Sequence, residues 1–419
     1  MRLLLKNALI VDLSEQNFLH QDILIEDCII RRISPHIVER DVQVIQSSDL
    51  CVSAGWVDMS ARLCEPGFEH IDTIETLCQS AKAGGFTQVV VLPNTSPPLQ
   101  SKAAIEFVKK SSQNFGVELL PTACATFNAA GEEMCELYDL HRAGAVAFTD
   151  GIRALNHPEV IKNILLYIKP FGGLFINRPE ERALTRFGQM HEGAISTQLG
   201  MNGIPEIAET LPLMRDIALV EYTKGKIHFS GISTQNGVQI LRQAKAKGLP
   251  ITADVYVHNL CFTDEALTTF DTNFKLNPPL RTESDRISLW EGIADGTIDA
   301  IASGHFPQDI ESKRLEFDFA EFGALSLESC FGALLAYKPS WISWQVIVEK
   351  LTSGPRKILN LPSPKIAENQ PANLTVFDKS FSWQFNLENI FSKSKNSPYI
   401  GKNLVGKPLF TVFNSCNYD

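Results

Sequence analysis

Two runs of sequence, GWVDMSARLCEPGFEH at 55–70 and AKAGGFTQVVVLPNTSPP at 81–98, decide the fold. The first opens as an apolar strand and turns sharply at Glu65-Pro66-Gly67. After a helix-like stretch, the second returns through a strand over Gln88–Leu92 that stops at Pro93-Asn94. Strand, helix and strand in this order read as a parallel βαβ unit, because parallel strands require a long crossover connection. In barrel and doubly wound enzymes, the C-terminal end of such a strand carries the chemistry. Here that end consists of Ser60, Ala61, Arg62, Leu63 and Cys64.

Outward from this unit the pattern differs on the two sides. Residues 2–54 alternate short apolar runs with polar turns (LLLKNALIV, DILIEDCII, VQVIQ), which predicts short antiparallel strands. From Gly55 apolar strands alternate with amphipathic helical stretches, through VVVLPN, VELLP, GLFIN, KIHFS and PITADVYV to DAIASG. About eight strands precede helices, so a (β/α)8 barrel is favoured over an open sheet. Strand-like runs return in ANLTVFD, SWQFN and PLFTVFN. The economical organisation is an α/β protein with a TIM-type barrel over 55–362. Residues 1–54 and 363–419 then form one small β-sandwich from both chain ends.

Composition excludes several classes of function. The 419 residues are 44% hydrophobic and 21% charged, ordinary for a globular protein, and the formal net charge is −10. That charge argues against nucleic acid or an anionic membrane as partner. No stretch approaches the ~18 apolar residues of a spanning helix, and MRLLLKNALIVD runs straight into a strand pattern rather than a signal peptide. Nine cysteines without a C-x-x-C pair suggest free thiols and a cytoplasmic location.

Local motifs add little. G-x-S-x-G, the P-loop and G-x-G-x-x-G are all absent, and the nine histidines form no H-x-H or H-E-x-x-H pair. His228, His258 and His305 fall at or just past barrel strands, where a pocket-lining role and a satisfied core role are about equally expected. Asn277-Pro278-Pro279-Leu280-Arg281 makes a rigid loop, either a structural corner or a ligand clamp.

Ordered matches nonetheless run nearly from end to end. They include EPG at 65–67, LPNTSPP at 92–98, AGAVAFTD at 143–150, HEGAISTQLGMNGIP at 191–205, GLPITADVYVHNLCFTDEAL at 248–267, FKLNPPLR at 274–281 and ADGTIDAIASGHFP at 294–307. In these the chain resembles the bacterial amidohydrolase-type dihydroorotases, relatives of allantoinases and hydantoinases. The resemblance implies a metal-bearing barrel with a β-sandwich from both termini. It also implies reversible hydrolysis of a cyclic amide, interconverting dihydroorotate and carbamoyl-aspartate in pyrimidine synthesis. Such enzymes use zinc to make hydroxide at neutral pH and to polarise the carbonyl. The expected ligands are a His-x-His pair after strand one, a carboxylate or modified lysine after strand four, histidines after strands five and six, and an aspartate after strand eight. That aspartate doubles as general base.

At those positions this chain departs from the pattern. Ser60 and Arg62 replace the His-x-His pair, and Cys64 stands where an arginine is expected. The fourth-strand motif is Phe148-Thr149-Asp150-Gly151, with the ligand register open between Asp150 and Gly151. The fifth-strand histidine falls on Asn177 or Arg178, the sixth on Gly231, and the terminal aspartate on Gly304, while a substrate-contacting histidine becomes Gln308. Glycine offers no donor side chain, and arginine keeps its proton. The expectation is therefore no metal and no cofactor, although the family uses zinc. Arg62, Asn94, Asn277, His305, Phe322 and Gly323 are expected to line a substrate-type pocket. Two readings follow. One is a non-catalytic member acting as structural or regulatory partner of aspartate transcarbamoylase or of an active dihydroorotase, itself a homodimer. The other is an active cyclic amidohydrolase with a divergent site drawing on Asp150, Asp254, His258 and His305.

Overall fold

The computed structural model describes residues 2–12 and 17–413, so the predicted outer limits of the terminal module at Met1 and 414–419 lie outside the described residues. Among the described residues sixteen strands follow in chain order. They are β1 (Arg2–Asp12), β2 (Asn17–Glu26), β3 (Ile29–Ser34), β4 (Gln43–Ile45), β5 (Leu50–Ala54), β6 (Trp56–Ala61), β7 (Phe86–Val91) and β8 (Glu118–Pro121). Then come β9 (Phe175–Asn177), β10 (Met190–His191), β11 (Gly203–Ile204), β12 (Ile227–Phe229), β13 (Ile251–Tyr256), β14 (Ala300–Ala302), β15 (Leu374–Gln384) and β16 (Asn403–Val412).

Both chain ends meet in one seven-stranded sheet, ordered β16-β15-β5-β1-β2-β3 with β4 paired to β1. Leu3, Leu5, Ile23, Ile25, Ile30, Val52, Val376 and Val412 bury their side chains in a common apolar cluster, so the two halves of this sheet share one core. Sequence-distant strands pair here because each alone presents an unburied apolar face.

The barrel is all parallel. β6-β7-β8 form one ladder and β9-β12-β13-β14 another. Phe148 bridges them through Ala123 and Phe175, and Ala61 closes the ring onto His305. The fourth stave is thus reduced to bridges around Phe148, giving the eight positions that the alternating pattern predicts. Every residue of β6 and β7 is buried, which explains why these strands read as near-continuous apolar runs. Between them the helix Ile74–Ala83 starts at Thr73, whose hydroxyl accepts from the Thr76 amide, and ends at Gly84.

Thr375 is one of the residues that tie the sheet to the barrel. Thr375 Oγ1 accepts from the Trp56 amide (3.1 Å) and donates to the Gly85 carbonyl (2.7 Å). The Trp56 ring lies 4.6 Å from Phe331 and 5.3 Å from Phe377. Among the described residues seven cysteines are free and buried, as the absence of a framework predicts; Cys28 corrects that expectation, because it is disulfide-bonded. No helix among the described residues is long and apolar enough to cross a membrane.

Candidate functional site

The C-terminal ends of β6, β12 and β14 converge on one side chain, Tyr256, the last residue of β13. Gly231 (φ +75°) and Gly304 (φ +61°) both hold left-handed backbone against it. A Cβ at Gly304 would stand 2.8 Å from Tyr256 Cγ, and one at Gly231 would stand 3.1 Å from Tyr256 Cζ. The ring therefore fills the space that side chains at 231 and 304 would need. Its hydroxyl lies 3.3 Å from both Ser60 Oγ and Ser230 Oγ. Three of the positions where metal ligands are expected, Ser60, Gly231 and Gly304, thus surround a phenol.

Beneath Tyr256 is a closed polar network. His228, fully buried, places Nε2 2.9 Å from Asp254 and Nδ1 2.9 Å from Thr252 Oγ1. Asp254 also accepts from Ser230 Oγ (3.0 Å) and the Gly231 amide (2.7 Å). Asp58, equally buried, accepts from the Ser303 amide (2.6 Å) and hydroxyl (2.7 Å), and burial pushes its carboxyl up to about 6. These groups hold strand ends together, and their hydrogen-bonding capacity is taken up by one another.

The remaining expected ligand positions are engaged elsewhere. Asp150 turns its carboxylate to Thr126, accepting from the amide (2.9 Å) and the hydroxyl (2.6 Å), and burial raises its pKa. A side chain at Gly151 would meet Asn94 Oδ1 at 1.8 Å. Asn177 faces outward, donating to Leu155 O (3.1 Å) and Asp216 (2.8 Å). Its neighbour Arg178, on the opposite side of the strand end, lines the cavity described next. Among the described residues, no group of three or more His, Cys, Asp or Glu side chains is placed to hold a metal ion.

Above Tyr256 opens a cavity of about 490 Å³, lined among others by Arg62, Phe68, Arg178, Asn277, Phe306, Gln308, Phe322 and Gly323. Arg62 Nη1 donates to Pro307 O (3.2 Å) and Gln308 Oε1 (3.1 Å), and the guanidinium lies 5.6 Å from the Phe68 ring centre. Gln308 Nε2 donates to Phe322 O (2.6 Å). Arg178 pairs with Glu180 and donates to Ile152 O (2.6 Å), while Asn277 Nδ2 donates to Glu180 (3.2 Å). Of the sequence-expected pocket residues, Arg62, Asn277, Phe322 and Gly323 come together here. Asn94 stands apart, holding the 150–152 loop through Asp150 O (3.0 Å) and the Ile152 amide (2.9 Å). His305 also stands apart: it is fully buried, with Nδ1 3.3 Å from the Ser326 and Leu327 amides. His258 is buried against Tyr399 (3.2 Å), and burial pushes its imidazole down to about 3. Cys64 is buried with its thiol pushed up to about 12, so it supplies no thiolate at neutral pH.

Sequence reasoning passed over Tyr256 altogether. The available signal was one of volume, a large aromatic residue closing one strand end while two neighbouring strands close on glycine.

Solved structures share this fold. L-hydantoinase (dihydropyrimidinase) from Arthrobacter aurescens superposes with a TM-score of 0.85 at 22% identity, covering 99% of this chain and 95% of that one. A D-hydantoinase superposes at 0.82 with 19% identity, covering 99% of this chain and 96% of that one. A family model described as dihydro-orotase-like matches residues 50–237. A dihydroorotase of Carboxydothermus hydrogenoformans is 38% identical over 99% of this chain and 97% of its own length. One of Pelotomaculum thermopropionicum is 37% identical over 98% and 97%. The chain belongs to the dihydroorotase family.

Proposed function

We propose that this chain is a non-catalytic member of the dihydroorotase family, a cytoplasmic protein of pyrimidine biosynthesis without the zinc site. It serves as a structural or regulatory partner of aspartate transcarbamoylase or of an active dihydroorotase, most simply as a homodimer. The observation that carries this reading is Tyr256, whose ring occupies the space between Ser60, Gly231 and Gly304. A catalytic zinc takes about three protein ligands. The strand ends here present a phenol, two hydroxyls and two glycines, and Asp150 is committed to Thr126. Without a metal, water is not ionised at neutral pH and the amide carbonyl is not polarised. The cavity beside Arg62 is lined by His70, Asp309 and Glu321, but His70 and Glu321 are exposed and Asp309 caps Ser312 (2.8 Å), while His258 and His305 are sealed in the core.

The test is metal analysis of the purified full chain, with dihydroorotate hydrolysis and the reverse reaction assayed in the same preparation. The expected result is zinc far below one per chain and no turnover above buffer, with co-elution when the chain is mixed with purified aspartate transcarbamoylase. Stoichiometric zinc with turnover would overturn the reading in favour of an active amidohydrolase with a divergent site.

A further inference from the structure

We infer that the cavity above Tyr256 is a binding site for a small organic carboxylate, held by Arg62 and Arg178 rather than by a metal. The inference rests on the metal-free reading above, because these guanidinium groups stand where metal charge would otherwise be. Three observations carry it. First, Arg62 has no carboxylate within salt-bridge distance among the described residues. Its only acceptors are the neutral Pro307 O and Gln308 Oε1, both taken by Nη1, which leaves Nη2 without a protein acceptor. Arg178 likewise keeps Nη1 without a hydrogen-bond acceptor among the described residues, its Nη2 donating to Ile152 O. Second, the carboxylates near the cavity are used or outlying. Glu180 is engaged by Arg178, Thr185 (2.8 Å) and Asn277 (3.2 Å), Asp309 is engaged by Ser312 (2.8 Å), and Glu321 is exposed. Asp309 and Glu321 line the same cavity, yet among the described residues neither forms an ion pair with Arg62, whose half-buried guanidinium keeps donors free. Third, the walls between the two arginines include Phe68, Phe306 and Phe322, which suit a flat apolar body attached to the charge.

Guanidinium groups recognise carboxylates through directed N–H donors, and do so most strongly where water is partly excluded. A volume of about 490 Å³ admits a single-ring carboxylate with its first waters. The side chains that would otherwise compete for such a ligand are consumed: Asn94 by the 150–152 loop, and Gln308 by Arg62 and Phe322 O.

Calorimetric titration of the full chain with benzoate, benzamide and inorganic phosphate tests this. Benzoate is expected to bind saturably, below about 1 mM in Kd. Benzamide, which lacks the charge, and phosphate, which lacks the apolar body, are each expected to bind at least about tenfold more weakly, a difference of about 1.4 kcal/mol. Arg62→Gln is expected to weaken benzoate by at least about tenfold, and Arg62→Lys to restore part of that loss. Should Arg62→Gln fail to fold, Arg178→Gln gives the same readout from the other wall. Unchanged benzoate affinity in the folded arginine variants would overturn the assignment, as would benzamide or phosphate binding as tightly as benzoate, or no saturable benzoate binding. Metal content measured on the same sample separates the two proposals. A metal-free chain indifferent to Arg62→Gln refutes only the carboxylate site, whereas stoichiometric zinc refutes the reading beneath it.

Discussion

Tyr256 and the two glycines facing it form a volume exchange, and that exchange is measurable. Gly304 sits at φ +61° with the Tyr256 ring 2.8 Å from where its Cβ would be. Gly304→Ala should therefore cost about 3 kcal/mol, combining overpacking with left-handed backbone strain. Tyr256→Ala alone should cost about 3–5 kcal/mol by opening a core cavity. In the Tyr256→Ala background, Gly304→Ala should fall to about 1 kcal/mol, a coupling of about 2 kcal/mol. Urea unfolding of the four proteins checks this. Additive costs would mean that the ring and the glycines do not share that space. At this scale the sequence was partly legible. The replacements Ser60, Arg62, Gly231 and Gly304 could be read from motifs, but their occupant could not. Which of Asn177 and Arg178 faces the cavity was also hidden, because adjacent strand residues point to opposite sides and one position of register decides between them.

The segment that covers the cavity is held by two buried lysines. Lys275 Nζ donates to Phe317 O (2.7 Å) and Asp318 O (3.0 Å), and it lies 4.9 Å from the Phe322 ring centre. Lys313 Nζ donates to Glu321 O (2.8 Å) and Gly323 O (3.0 Å). Burial pushes Lys313 down to about 7 and Lys275 down to about 8, so each ammonium is held at the expense of its hydration. Lys313→Met relieves that desolvation but leaves Glu321 O unpaired, worth about 1 kcal/mol, and leaves Gly323 O to the Asn396 Nδ2 donor alone (3.1 Å). The expected outcome is amide exchange over 317–323 faster by about tenfold or more, with the global unfolding midpoint little changed. Exchange at the wild-type rate would show that the segment is held by its apolar contacts instead. Nothing in the sequence marks these lysines, since a charged residue reads as surface until its neighbours are known.

For the whole molecule, buried neutral histidines set the response to acid. Burial lowers His258 to about 3; His191 is lowered to about 4, first by burial and then by the Arg281 guanidinium 3.0 Å from its Nδ1. Both lie below the unfolded value of 6.5. Between that value and the folded ones the unfolded chain binds more protons, so stability falls as pH drops. For His258 alone the loss from pH 7 to pH 5 is about 2 kcal/mol. Denaturant midpoints measured across this range should fall, and His258→Gln should flatten the slope. An unchanged slope would assign the acid response to other groups.

What the sequence determined by itself was the alternation of apolar strands and amphipathic helices, the shared β character of the two ends, and the family motifs from Glu65-Pro66-Gly67 to the ADGTIDAIASGHFP run at 294–307. These are local periodicities and short fixed spacings, so they survive without coordinates. Only the tertiary structure decided what became of the strand ends. Ser60, Gly231, Tyr256 and Gly304 come from four strands separated by up to 244 positions, and whether a phenol fits among them depends on strand register, backbone φ and side-chain volume together. The same holds for Asn94, which reads as a ligand contact in its motif but is consumed by the 150–152 loop. Hydrogen-bonding capacity is finite, and the competitors for it are brought close only by folding.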